Sequence, residues 1–434
     1  MGRMRKKNGL DDTRLVKTAS ISVPVIVFIL AMLVSASGQS NTWKIEVVDN
    51  AGYVGVNNSL ALDSHDNPHI SYYDHLEGNL KYARWTDSGW EIEVVDNSGN
   101  VGEHTSLAID SHDNPHISYL DYTNKDLKYA HWTGSAWIVE VVDNRDNAGS
   151  FASIALDEND FPHISYTYNG ILQYACWNGE NWGIETVDNS QYRSDTSIVL
   201  DKNGYPHISY SEWCVSQNND LRYAWWDGEN WNIQVVDEAY LDNGIRGTSI
   251  ALDGSGYPYI SYCVLPTMPS FLISSTRGIL KCARWTGENW VIETVDNGGD
   301  LSNVEWDTSI VLDKNDRPHI SYYDWGHKQV KYASWDGEDW TIEIVDNISV
   351  DTEWGSYFGR WNTSIALDRN NNPYISYCDL INGEALKLAS VRVSSEVPEF
   401  PWLILGGSVI IIIVILSTIY YVVRQRKRKI ANER

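Results

Sequence analysis

The stretch LDSHDNPHISYYD (residues 62–74) returns as IDSHDNPHISYLD (109–121) and LDKNDRPHISYYD (312–324). Its first half is turn chemistry. Asp and Asn bond their own backbone and tolerate left-handed φ, and the Pro opens the next segment without needing an N–H donor. Its second half, β-branched and aromatic, reads as a strand. Working outward, the repeat resolves into four short strands: a, SLALD (59–63); b, PHISY (68–72); c, LKYARW (80–85); and d, WEIEVVD (90–96). Strand a starts seven times, at Ser59, Ser106, Ser153, Ser197, Ser249, Ser309 and Ser364. Strand d also starts seven times, at Trp43, Trp90, Trp137, Trp182, Trp231, Trp290 and Trp340.

The order at the two ends decides the architecture. The first copy is a lone strand d, WKIEVVD (43–49), and the last copy has a, b and c but no d. The N-terminal d can therefore complete the C-terminal unit, closing a ring with no open end. A linear solenoid would carry capping repeats instead. Four strands per unit, recurring every 44 to 60 residues, fit propeller blades. The expected fold is all-β: a seven-bladed β-propeller over 39–393, blade seven shared between the chain ends.

The pattern PHISY…LKYA.W…W.IE.VD resembles the β-propeller repeats of archaeal and bacterial surface proteins over residues 43–393. It lacks the Gly-His and Trp-Asp signatures of WD-type repeats. SWDGEDW (334–340) is similar to the Asp-box of sialidases but lacks its residue between Asp and Gly. The segment 394–401 ends in VPEFP, and Pro398, Glu399, Phe400 and Pro401 are followed by an apolar run and a basic cluster. That tail is similar to the PEF-type C-terminal sorting signal of archaeal surface proteins, which implies processing by an archaeosortase.

The ends read as membrane-directed. Basic residues precede the apolar ISVPVIVFILAMLV (21–34) and the small residues SASG, so 1–38 is a secretory signal peptide or an uncleaved anchor. Residues 402–423 form 22 uncharged positions, long enough to span a bilayer, and the basic tail 424–434 puts that side in the cytoplasm. The expected location is the cell membrane, single-pass, with the propeller outside. Setting aside the 12 basic and 3 acidic residues of the two ends leaves 21 basic and 55 acidic, a formal charge of −34. Nothing there would neutralise phosphates, so nucleic acid is excluded as a partner. The five Cys have no metal-type spacing, although Cys263 and Cys282 fall in neighbouring strands and could pair.

Residues that recur in every copy are expected to build the blade. The Asp closing strand a sits five positions before the Pro in all seven copies, as turn chemistry requires. Calcium is the rival reading for runs such as DSHDN. The acidic positions change from copy to copy, however, and calcium wants six or more oxygens, so no cofactor is expected and calcium has no defined motif. His69, His116, His163, His207 and His319 follow the Pro, with Tyr259 and Tyr374 in the other copies. A group repeated around a ring is expected to bond between blades rather than catalyse, and so are the Ser of strand a and the paired Trp of the c–d turn.

Function is expected where the copies differ. The a–b and c–d loops are constant in length, while the b–c and d–a connections, on the opposite face of the disc, vary. They carry Glu212, Trp213, Glu305, Trp306, Asp307, Trp325, Asp351, Glu353, Trp354, Arg360 and Trp361. Flat rings beside carboxylates suit sugars, whose C–H faces stack while their hydroxyls bond to the acids. Some of these Trp would instead pin long loops onto the propeller. Three functions follow: a binding module for a cell-surface glycan or an extracellular protein, an extracellular glycosidase or lyase, or a structural cell-envelope component. The sialidase-type Arg triad is absent, and the binding module is the preferred reading. Sequons at Asn57, Asn347 and Asn362 permit glycosylation.

Overall fold

The computed structural model describes residues 43–190, 193–212, 219–238, 243–266, 278–298, 304–348, 362–379 and 385–391. All regular structure there is β. Strand β1 (Trp43–Asp49) stands alone in sequence, and β2 (Val54–Leu62), β3 (Pro68–Asp74), β4 (Asn79–Thr86) and β5 (Gly89–Asp96) form blade 1. The unit repeats as β6–β9 (101–143), β10–β13 (150–188), β14–β17 (193–237), β18–β21 (243–296) and β22–β25 (304–347). It ends with β26–β28 (363–391). Seven antiparallel four-stranded sheets result, each in sequence order except the last, which reads β26-β27-β28-β1. Trp43 lies opposite Val391 and Val47 opposite Lys387, so the first strand completes blade 7. The seven-bladed propeller expected from the repeats is the fold.

The core is not one mass but seven main apolar clusters, one at each seam between adjacent blades, with a smaller eighth of Val56, Tyr73 and Cys378. Between blades 4 and 5, for example, Leu221, Tyr223 and Val236 pack on Ile250, Ile260 and Tyr262. Val48 and Leu388 of blade 7 pack on Val54 and Ile70 of blade 1, which closes the circle. The edges of the strand-d sheets face outward, where Val47 and Ile344 are about half exposed.

Repeated polar residues bond the blades together in rings. At the axis each strand-a Ser accepts a backbone N–H from the next blade. Ser59 Oγ takes Leu107, Ser106 takes Ile154, and so on to Ser364, which takes Leu60, at 3.0–3.2 Å. One step further out, the strand-b Tyr donates to the strand-d Asp of the preceding blade. These seven bonds run from Tyr72 to Asp49 through Tyr377 to Asp346, at 2.6–2.9 Å. A hydrogen bond to a charged group contributes about 1.5–3 kcal/mol, so this ring is a substantial share of blade adhesion. A strand-c Lys often joins it: Lys128 lies 3.1 Å from Asp96 and 2.9 Å from Asp121. Blade 3 has Gln173 in place of that Lys, and Arg145 from the d–a connection supplies the cation, bonding both Asp143 and Gln173.

The recurring Trp pairs behave as expected. Trp85 and Trp90 meet edge to face at 5.6 Å within a blade. Trp137 crosses to the preceding blade, meeting Tyr82 at 5.2 Å and donating to Glu93. The His expectation needs correction. His69 Nδ1 bonds Tyr82, and its Nε2 sits 3.6 Å from Asp63, all within blade 1. His116, His163, His207 and His319 likewise bond a strand-c Tyr of their own blade. The reason is register: His69 lies opposite Arg84, next to Tyr82 on the neighbouring strand, so the imidazole reaches its own sheet first.

Cys263 and Cys282 do not form a disulfide; both carry thiols. Cys263 lies opposite Leu280 and Cys282 opposite Ser261. The two are diagonal neighbours, a placement of about 7–8 Å that exceeds disulfide reach.

Candidate functional site

All seven inner strands line one central cavity of about 170 Å³. Its walls come from the recurring Ser and the residue before it in every strand a, and from the residue two before the Ser in blades 1 to 4 and 7. The first two are nearly constant. The residue before Ser is Thr in five blades, and its hydroxyl bonds the strand-b Ser of the preceding blade, as Thr105 does with Ser71 and Thr248 with Ser209. The third position differs from blade to blade: Asn57, His104, Phe151, Asp195, Gly247, Asp307 and Asn362.

A backbone device points this third position at the axis. The pairing of strands a and b slips by a bulge just before the Ser in blades 1 to 6, for instance between Glu103 and Ser106. At that slip Asn57, His104, Phe151, Asp195 and Gly247 all take left-handed φ, from 43° to 60°. Gly, Asn and Asp accept that conformation readily, but His and Phe are held there at a cost of about 1–3 kcal/mol each. In blades 1 to 3 a second glycine makes the bulge fit. A Cβ on Gly102 would sit 2.8 Å from the Cα of Leu80 in the preceding blade, and one on Gly149 would sit 2.8 Å from that of Leu127.

The lining is polar with one aromatic corner. His104 and Phe151 rings lie 4.8 Å apart between centroids. Asn57 Oδ1 accepts the His104 N–H, and Asp195 Oδ2 accepts the Gly247 N–H, so each side chain is fixed by the next blade's backbone. Asn362 is anchored across the ring closure, where its Oδ1 accepts the Asn58 N–H at 2.9 Å. The seven Ser oxygens form the floor of hydroxyls below. Among the described residues no Lys or Arg lines the cavity.

The residues singled out in the sequence fall as follows. Trp213, Asp351, Glu353, Trp354, Arg360 and Trp361, and the VPEFP motif, lie outside the described residues. Glu305, Trp306 and Asp307 lie in β22, one to three positions before Thr308, and their side chains are outside the description. Glu212 is buried and holds Arg222 at 2.9–3.0 Å. Trp325 is half-buried against the cluster of Tyr323, Val330 and Tyr377. Of the sequons, Asn347 is exposed at the end of a strand d, whereas Asn57 and Asn362 line the central cavity. The N-terminal segment and the apolar run 402–423 are also outside the described residues, within which no helix is long and apolar enough to cross a membrane.

On the opposite face the turn Asp spends its oxygens on its own loop. Asp63 Oδ1 accepts the N–H of His65 and of Asn67, and Oδ2 accepts the Asn67 amide. The residue three further on is left-handed (Asp66, Asp113, Asp160, Asp316 and Asn371). Where that residue is Asp, its carboxylate ties neighbouring turns together, as Asp113 does by accepting from Ser64. Two groups there, Asp63–His65–Asp113 and Asp110–His112–Asp160, bring three potential metal-ligand atoms close together.

No protein-family model matches the chain, and no curated protein matches it in sequence. Solved structures with some likeness include a protein of unknown function from Dyadobacter fermentans, with a TM-score of 0.47 and 10% identity over 80% of this chain and 98% of that one. An ulvan lyase gives a TM-score of 0.46 and 12% identity over 80% and 91%. The SapL1 lectin, crystallised with α-methyl fucoside, gives 0.46 and 11% identity over 68% and 98%.

The third position falls in the d–a connection, two residues before each strand-a Ser, where the copies are expected to differ; the sequence singles out Asp307 there for binding and Asn57 and Asn362 as sequons, but not His104, Phe151 or Asp195. The signal was there: one column without a common residue beside two that barely change.

Proposed function

We propose that the protein is a glycan-binding module, displayed outside the cell on the single membrane span of residues 402–423. The PEF-like tail would act as its sorting signal. The observation that supports the reading is the division within each blade. Recurring side chains are consumed by bonds within and between blades, while residues that differ gather at the axis and in the b–c and d–a connections on one face. A rigid ring presenting non-repeated aromatic, amide and carboxylate groups is built for recognition. A sugar suits them, with apolar C–H faces for rings and hydroxyls for the acids and amides.

The test is a glycan array probed with the full chain in detergent, with calcium and with chelator. Specific retention without turnover, weakened at least tenfold by Trp306→Ala or Trp354→Ala, is the expected outcome. A blank array in both conditions refutes the glycan reading. Turnover of a bound glycoside, lost on removing one carboxylate, moves the protein to the enzymes.

A further inference from the structure

We infer that the central channel is itself a ligand site, which takes one small neutral polyhydroxylated ring, such as a terminal sugar residue. His104, Phe151, Asp195, Asn57 and Asn362 would read it. The inference rests on the glycan-binding reading and adds to it the place and the size of the ligand.

Size comes first. The cavity of about 170 Å³ far exceeds the ~15 Å³ that one water needs. It is smaller than the ~300 Å³ at which pockets for drug-sized ligands begin. That leaves room for one compact ring and not for a chain of them.

Chemistry comes next. Three amide side chains, a carboxylate and seven serine hydroxyls surround the space, so donors and acceptors are mixed, as a polyol demands. Each Ser oxygen already accepts a backbone N–H, which leaves its own hydroxyl proton to donate. With no cation among the described lining residues and Asp195 present, an anion is disfavoured. The His104–Phe151 pair supplies the one aromatic surface, where the C–H face of a sugar would rest.

The backbone supplies the independent argument. Packing alone does not ask for His or Phe at a left-handed position. Blade 5 has Gly247 at the same place, with φ of 60°, and keeps its Ser bond and its Thr bond to the preceding blade. Strain kept at two neighbouring blades, where glycine would serve the fold, marks a site selected for what those side chains touch.

The experiment separates fold from binding. Full chains carrying His104→Gly, Phe151→Gly or Asp195→Asn are compared with the unaltered protein by melting temperature. Each is also titrated by calorimetry with methyl α-glycosides of glucose, mannose, galactose, N-acetylglucosamine and fucose. At least one glycoside binds the unaltered protein, both glycine variants melt at the same or a higher temperature, and their Kd for that glycoside rises tenfold or more. Asp195→Asn keeps the acceptor for Gly247 and weakens binding without loss of fold. The inference is overturned if the glycine variants melt lower and bind unchanged, or if no methyl glycoside binds the unaltered protein. Array binding that persists in all three channel variants also overturns it, while leaving the glycan-binding proposal standing on the outer loops. A blank array removes both.

Discussion

At the scale of single residues, one exception shows what the repeated bonds contribute. In five blades a Thr before the axial Ser bonds the strand-b Ser of the preceding blade, and in blade 1 Asn58 takes that place beside Ser376. Blade 3 has Ala152 instead, and the hydroxyl of Ser118, wholly buried, has no partner among the described residues. A buried hydroxyl without a hydrogen bond is costly, and supplying one is worth about 1 kcal/mol. Ala152→Thr is therefore expected to raise stability by roughly that amount, read as a higher midpoint in thermal or urea unfolding. Unchanged or lower stability would mean that the blade 2–3 seam has closed around the alanine and has no room for the larger side chain.

At the scale of the element, strands b and c are locked by the buried His–Tyr pair, and that lock titrates. Burial holds His69, His116, His163, His207 and His319 below their ordinary value of 6.5, against the raising influence of a nearby turn Asp in each case. Below pH 6.5 the unfolded chain therefore takes up protons that the folded chain refuses. Stability is retained above about pH 6.5 and falls as the pH drops below it, by at most about 1.4 kcal/mol per pH unit for each histidine. The turn carboxylates Asp63, Asp110 and Asp313 are held below 3.8 and act only in stronger acid. Melting temperatures from pH 7.5 to 5 check this. His116→Tyr, which copies the Tyr259 and Tyr374 of blades 5 and 7, is expected to flatten the slope, and an unaltered slope would place the titration elsewhere. Elements of this kind were legible in the sequence, since the period-2 strands and Asx turns leave little freedom and six of the seven d strands begin at their Trp. Which partner a side chain chooses was less legible. Repetition around the ring suggests a partner for His69 across blades, but register places it beside Tyr82 on the same sheet. The sequence places the residue two before each Ser in a variable d–a connection but does not show that it faces the axis: a bulge turns it from the sheet face, and alternation alone cannot announce a bulge.

At the scale of the whole molecule, the ring stands or falls with its first strand. β1 pairs with the last strand from Trp43 to Asp49, and its side chains serve three neighbours. Asp49 accepts from Tyr72 and lies 3.4 Å from Lys81, Trp43 donates to Glu343, and Val48 packs with Leu388 and Ile70. Removing residues 43–49 would therefore uncover the edge of Ala385–Val391, strip Tyr72 of its charged partner and open the blade 7–1 seam together. Neighbouring blades bury their apolar residues only in each other, so an open seam is expected to lower the stability of the whole circle rather than fray one end. A chain lacking 43–49 should melt well below the full chain and run partly as oligomers on gel filtration, because the bare edge recruits strands from other copies. A synthetic peptide of residues 41–51, added in excess, should bind that edge by strand addition and restore both melting temperature and the monomer peak. A deleted chain that melts like the intact one, as a monomer, would show that six complete blades hold the circle without its closing strand.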